Sequence, residues 1–350
     1  MSQWRDNIRR VEPYVPGEQP KEKNVIKLNT NENPYGPSPR VQMVKENMDD
    51  LRLYPDPTAG TLVDALAEYH GVNPDQVFVG VGSDDVLSMA FLTFFNAKKP
   101  IRFPDITYSF YDVWAELYRI PYEQPALDEN FKIRREDYYG ENGGVVFPNP
   151  NAPTGIAEDL EFVEDIISHN PDDVGIVDEA YVDFGGTSAL SLIDKYENLL
   201  VVRTFSKSRS MAGLRIGYAI GQPELIRALN DVKYSFNSYT MNRPSLLLGV
   251  ESIRDEAYFR ETVAGIIRTR EQFGEEMKKL GFTFPESKAN FIFATHKTAK
   301  AKDIFEAAKK KGIYVRYFNK PRIDNYLRIT IGKPEEMETL LKFLKEYLNE

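Results

Sequence analysis

Short apolar runs around Val77, Ile101, Val145, Ile176 and Val201 alternate with helical stretches. Alternation of this kind marks an α/β chain with a mostly parallel sheet and helices on its faces. It also constrains where function lies, because open α/β sheets bind ligands in the crevice beyond the carboxyl ends of their strands. Each run here releases its polar residues at that end. Gly80-Val81-Gly82-Ser83-Asp84-Asp85 follows the first, Asp105 and Tyr108 the second, and Asn149 to Thr154 the third. Asp178 and Glu179 follow the fourth, and Ser206, Lys207 and Arg215 the fifth.

The last of these segments is the most reactive. The run 199–202 reads as a buried strand that turns directly into Ser206-Lys207-Ser208. Burial strips the charged form of a lysine of hydration and lowers its pKa. A neutral amine forms a Schiff base with an aldehyde. Ser206 and Arg215 put a hydroxyl and a guanidinium beside that amine, so the three together suit a phosphorylated aldehyde. A lone Ser-Lys pair would read as a surface lysine; the flanking strand and Gly213-Leu214-Arg215 argue against that.

Composition excludes several classes of function. A chain of 350 residues has room for about two domains. A net charge of -9 argues against general nucleic-acid binding, which needs a basic face, but leaves room for a local cationic pocket. With no cysteine there is no disulfide framework, thiolate metal site or cysteine nucleophile. His70, His169 and His296 have no metal-ligand spacing and read as surface or packing residues, so no metal is expected. Met1 to Asp6 lack the apolar segment of a signal peptide. The run 89–95 is too short to span a membrane. No membrane partner is expected, and the expected location is the cytoplasm.

Three further stretches carry specific motifs: Asn31-Glu32-Asn33-Pro34 in a turn-rich loop, Pro148-Asn149-Pro150-Asn151-Ala152-Pro153-Thr154-Gly155, and Asp178-Glu179-Ala180-Tyr181. With the lysine segment 204–217 and Leu327-Arg328-Ile329-Thr330-Ile331-Gly332, they resemble the pyridoxal-phosphate (PLP) enzymes of fold type I. The order and spacing are most similar to the class II-type histidinol-phosphate aminotransferases, from Tyr14 to Gly332. The resemblance implies a large PLP-binding domain over 46–250 with a mostly parallel sheet. It also implies a smaller α+β domain over 251–350, joined by an arm over 1–45, and a homodimer with shared active sites.

The residue roles it implies are these. Lys207 holds PLP and moves the substrate proton. Asp178 pairs with the pyridinium nitrogen, which keeps the ring an electron sink; an acid at a buried strand end needs such a partner. Tyr181 and Asn151 bind the ring's 3-oxygen, and Tyr108 stacks on the ring. Ser83 and Asp84, through backbone N–H groups at a helix start, hold the phosphate with Ser206, Arg215 and a partner subunit's tyrosine at the position of Tyr54. The acid side chains after Gly82 are expected to turn away from it. Arg316 and Arg328 bind the substrate's anionic group, with Tyr14 and Asn33 as further substrate contacts. The plainer readings remain open beside these: a helix cap for Asp178, a solvated acid for Glu179, solvent-facing arginines on half-buried strands for Arg316 and Arg328.

Beyond 245 the pattern predicts one long helix over 246–279 ending at Gly281. Strands follow at 289–293, 313–318 and 326–331, with helices at 301–311 and 335–347. The implied reaction is ping-pong transamination between histidinol phosphate and 2-oxoglutarate, giving imidazole acetol phosphate and glutamate, in histidine biosynthesis. An aromatic amino-acid aminotransferase and a PLP-dependent threonine-phosphate decarboxylase share the framework and stay open. A PLP-sensing regulator is disfavoured because no segment long enough for a DNA-binding helix-turn-helix precedes the arm.

Overall fold

The computed structural model describes residues 8–22, 24–45 and 48–349. The reading of Met1 to Asp6 lies outside the described residues. Along the chain come β1 (Ile26–Lys27), α1 (Pro39–Met43), α2 (Gly60–His70), β2 (Val77–Gly80), α3 (Ser83–Phe94), β3 (Ile101–Arg102) and α4 (Tyr111–Tyr118). Next are β4 (Tyr122–Glu123), β5 (Val145–Pro148), α5 (Leu160–Ser168), β6 (Gly175–Asp178), β7 (Leu199–Thr204), β8 (Gly217–Ile220) and α6 (Pro223–Phe236). Then follow α7 (Arg243–Arg254), α8 (Glu256–Lys279), β9 (Phe282–Thr283), β10 (Phe291–His296) and α9 (Ala301–Lys310). The chain closes with β11 (Ile313–Tyr314), β12 (Arg316–Tyr317), β13 (Leu327–Thr330) and α10 (Pro334–Asn349).

A seven-stranded sheet has the order β2-β8-β7-β6-β5-β3-β4. β7, β6, β5, β3 and β4 run parallel, while β8 runs antiparallel to both of its neighbours. The runs around Val77, Ile101, Val145, Ile176 and Val201 are all strands of this sheet. Alternate residues of its central strands feed two separate cores. Val145, Phe147, Val177, Leu199 and Val201 pack on one face, and Val146, Ile176, Leu200 and Val202 on the other. Burial on both faces explains why these strands read as continuous apolar runs. Each such side chain contributes about 1.5–3 kcal/mol of transfer free energy.

A second sheet, β12-β13-β10-β9, is antiparallel throughout and shares a core with residues of α8, α9 and α10, among them Ile266, Phe273, Ile304 and Leu340. β1 pairs in parallel with β11, Ile26 against Ile313, so the N-terminal segment is stitched to the C-terminal part of the chain.

The structure corrects the pattern in three places. The long helix expected over 246–279 is two, α7 and α8, broken at Asp255. That residue leaves helical geometry (φ -99°, ψ 66°) and its carboxylate caps Tyr258 N, as N-cap acids do. The strand expected at 289–293 starts only at Phe291; Ala289 O is taken by Arg270, while Asn290 O still accepts from Ile331 N beyond the end of β13. The strand expected at 313–318 is two short ones. Ile313 and Tyr314 serve β1, and Arg316 and Tyr317 serve β13.

The histidines pack or sit at the surface: His70 Nε2 lies 2.9 Å from Tyr218 Oη, His169 stacks on Tyr139 and His296 Nε2 meets Leu280 O. Among the described residues no cluster suits a metal ion, and no helix is long and apolar enough to cross a membrane.

Candidate active site

β6 and β7 end side by side, Asp178 in register with Val202, so their exits deliver Asp178 and Lys207 to the same crevice. A cavity of about 230 Å³ opens there. Its wall brings together Ser83, Asp84, Tyr108, Asp178, Tyr181, Ser206, Lys207 and Arg215. Lys207 is half-buried; its Nζ lies 3.5 Å from Thr30 O and 5.6 Å from the centroid of the Tyr181 ring. Tyr181 Oη accepts from Asn31 Nδ2 at 2.8 Å, and its ring meets Phe291 edge-on.

Asp178 is 4% exposed. Its carboxylate accepts from Tyr111 Oη at 2.9 Å and from Ala180 N at 3.1 Å. Burial pushes its pKa up to about 6; those two donors oppose the rise, and the charges of Asp84 and Glu179 add to it. It is not a helix cap. Nor is Glu179 a solvated acid: it is buried, paired with Arg203 at 2.9 Å and held by Ser188 and Ala189 N.

At the other end of the cavity the first turn of α3 meets Arg215. Gly82 caps the helix at φ +85°, and a Cβ there would lie 2.5 Å from Arg215 Nη2. Gly217 on β8 is tighter still, since its Cβ would fall 2.3 Å from Ser83 N. Arg215 itself sits at φ 53°, a conformation that costs a non-glycine residue free energy and recurs at functional sites. Its guanidinium pairs with Asp84 Oδ2 at 2.9 Å and lies 3.5 Å from Ser206 Oγ. The acids after Gly82 therefore do not both turn away. Asp85 does, capping Val81 N at 2.9 Å. Asp84 turns in, because a guanidinium and the Tyr108 hydroxyl, at 2.7 Å, both attract its carboxylate.

The remaining expected residues do not line this cavity. Asn151 is buried and binds Ile106 O and the Thr107 hydroxyl, each at 3.0 Å, while its neighbours Pro148 and Ala152 do line the cavity. Asn33 Nδ2 braces the loop after Lys207 by binding Ser208 O at 3.0 Å. Tyr14 stacks on Phe110 at 4.0 Å and lines an adjoining cleft with Arg316. Tyr54 is 80% exposed and stacks on Tyr239.

Arg316 and Arg328 face each other across β12 and β13. Like charges placed directly opposite are unfavourable, and among the described residues no carboxylate pairs with either. Arg328 is not solvent-facing. Its Nε is enclosed without a partner, Nη2 reaches Asn29 O at 3.1 Å, and the rings of Phe291 and Phe318 flank the guanidinium. Burial lowers its pKa, and the positive charge of the facing Arg316 adds to that.

The sequence reading passed over Tyr111, which holds Asp178, and Gln19 and Thr30, which line the cavity with Glu32 of the Asn31-Glu32-Asn33-Pro34 loop. Tyr111 carried one usable signal: it follows Tyr108 by three residues on the strand exit that leads into α4.

The family model for aminotransferase class I and II matches residues 23–344. The chain belongs to the class I and II aminotransferases. Curated aminotransferases similar to it include the histidinol-phosphate aminotransferase of Clostridium botulinum (strain Kyoto / Type A2), 53% identical over 100% of this chain and 99% of that one. That of Lactococcus lactis subsp. cremoris (strain SK11) is 52% identical over 99% and 98%. A histidinol-phosphate aminotransferase from Sinorhizobium meliloti, solved in complex with pyridoxal-5'-phosphate, shares the fold. Its TM-score is 0.83 at 24% identity, covering 93% of this chain and 91% of that one.

Aminotransferases of this family use PLP, and the residues of this chain fit it. The cavity offers a guanidinium and a helix start, a buried carboxylate of raised pKa that has no cationic partner among the described residues, and the amine of Lys207. These complement a phosphate, a pyridinium N–H and an aldehyde.

Proposed function

We propose that this aminotransferase moves an amino group between histidinol phosphate and 2-oxoglutarate in histidine biosynthesis. The observation that carries the reading is the opposed pair Arg316 and Arg328, two guanidiniums without a carboxylate beside the Lys207 cavity. A phosphate monoester bears close to two negative charges, and planar guanidiniums bind such groups through paired N–H donors. A carboxylate of glutamate or 2-oxoglutarate fits the same pair. The identity over whole chains to the relatives named above supports the substrate.

PLP supplies the electron sink that makes the substrate's Cα–H acidic. Lys207 Nζ binds the cofactor and carries the proton that leaves the substrate carbon. In the bound cofactor Asp178 would face the ring nitrogen, Ser83, Asp84, Ser206 and Arg215 would hold the phosphate, and Tyr181 and Asn151 would serve the 3-oxygen. Tyr108 would stack on the ring, with Tyr14 and Asn33 completing the substrate side. Residues 46–250 form the PLP-binding domain and 251–350 the smaller one, to which the arm 1–45 belongs. The chain acts as a homodimer in the cytoplasm. The exposed Leu51, Leu53, Tyr54 and Phe236 support a covered face, from which Tyr54 serves the partner's phosphate site.

Mixing the PLP-loaded protein with glutamate, histidinol phosphate, phenylalanine or threonine phosphate in separate cuvettes tests the substrate. Conversion of the bound cofactor to its amine form by glutamate and histidinol phosphate is the expected result. Conversion by glutamate and phenylalanine alone, or CO2 release from threonine phosphate, overturns it.

A further inference from the structure

The guanidinium that faces the cofactor's phosphate site already has an anion. Asp84 Oδ2 lies 2.9 Å from Arg215 Nη2. Nη1 is directed at Ser206 Oγ at 3.5 Å and Ala212 O at 3.4 Å. Both amino groups thus have contacts within the chain, so a phosphate that binds through the remaining N–H donors of Arg215 shares its guanidinium with the Asp84 carboxylate. The Asp84 carboxylate does a second thing. Its other oxygen, Oδ1, accepts from Tyr108 Oη at 2.7 Å, so one side chain ties the phosphate anchor to the aromatic ring of the cavity wall. The side chains of Arg215 and Asp84 are 41% and 38% exposed, an ion pair open to exchange with a competing anion.

We infer that Asp84 is an internal competitor for the cofactor's phosphate and, through Tyr108, a positioning residue for the cofactor's ring. This rests on the reading of the cavity as the PLP site. The two effects act in opposite directions. A carboxylate beside Arg215 repels any phosphate that approaches it, which weakens every phosphate ligand alike. That loss matters most for ligands with nothing else to hold them. Inorganic phosphate is kept off, while PLP recovers the loss through the ring contacts that Asp84 itself arranges and through Lys207. Specificity of this kind comes from a repulsive element as much as an attractive one.

The experiment compares cofactor-free wild type with Asp84→Asn and Asp84→Ala. Calorimetry gives the affinity for PLP, and competition against PLP gives that for inorganic phosphate. Asparagine removes the charge and keeps an acceptor for Tyr108, so both ligands are expected to bind roughly fivefold tighter, the size of a partly exposed charge contact. Alanine removes both, so phosphate is expected to gain as before while PLP gains less or nothing. Unchanged or weaker phosphate binding in the variants overturns the inference, and either variant alone suffices for that comparison. Phosphate that fails to compete with PLP in the wild type and in both variants overturns the reading of the site and the inference with it. An equal gain for PLP in both variants removes the positioning role.

Discussion

Tyr111 Oη donates to Asp178 Oδ2 at 2.9 Å, with both side chains buried. A hydrogen bond to a carboxylate favours its ionised form, so the phenol works against the burial that raises Asp178. Tyr111→Phe removes that donor without emptying its place in the cluster of Phe91, Phe103 and Trp114. The pKa of Asp178 rises further, and the PLP dissociation constant, measured against pH, should lose affinity at a higher pH than in wild type. Loss of a bond to a charged, buried group also costs about 1.5–3 kcal/mol of stability. An unmoved pH midpoint would remove Tyr111 from this role.

The pKa of Asp178 itself has a sign that can be checked. It lies at about 6 in the folded chain against an ordinary 3.8. The stability associated with this group is therefore fully present below about pH 4 and is lost as the pH rises through about 6, a change of about 3 kcal/mol. In cofactor-free protein, the unfolding free energy of Asp178→Asn minus that of wild type should grow by this amount between pH 4 and 7. A difference that stays flat would count against a desolvated carboxyl at this position.

Arg328→Ala should raise the KM for histidinol phosphate on the order of a hundredfold, since truncating a buried charged contact costs about 2–5 kcal/mol, while leaving PLP affinity within about threefold. Arg328→Lys keeps the charge but not the planar fork and should recover only part of the loss. Steady-state kinetics beside a PLP titration separates the two ends of the site.

Gly217→Ala sets a Cβ 2.3 Å from Ser83 N, a backbone atom that cannot swing aside. The melting temperature should fall by several degrees, because about 1 kcal/mol of strain lowers Tm by about 2–4 °C in a domain of this size, and phosphate binding at the α3 start should weaken with it. Gly213→Ala, a position where nothing lies within 4 Å, serves as the control and should change neither.

Most of the large sheet was legible because its strands are buried on both faces and therefore write themselves as apolar runs. β8 was not read as a strand: its four residues, Gly217 to Ile220, follow directly on the lysine segment, whose motif hides the change of structure. The break at Asp255 was missed for a similar reason, since the apolar pattern of α7 carries on into α8 and only an N-cap acid separates them. At the site, the residues at strand exits could be read because position along the sheet dictates where they meet. The inward turn of Asp84 could not. It depends on Arg215, 131 residues away, and local helix-start rules gave Asp84 and Asp85 the same side. Tyr111 and Asn31 act through second contacts, on Asp178 and Tyr181, and such pairings are set by tertiary packing alone.

The pairing of β1 with β11 bears on how the molecule is made. Thr30 and Glu32, which line the cavity, follow shortly after a strand whose sheet partner among the described residues is β11. The arm is synthesised well before its docking edge, so that part of the cavity wall stays unset until β11 has been made. The sheet carrying Lys207 can assemble earlier, domain by domain. The cavity wall therefore joins a segment near residue 30 to one near residue 313, and it is complete only when both have been made and paired.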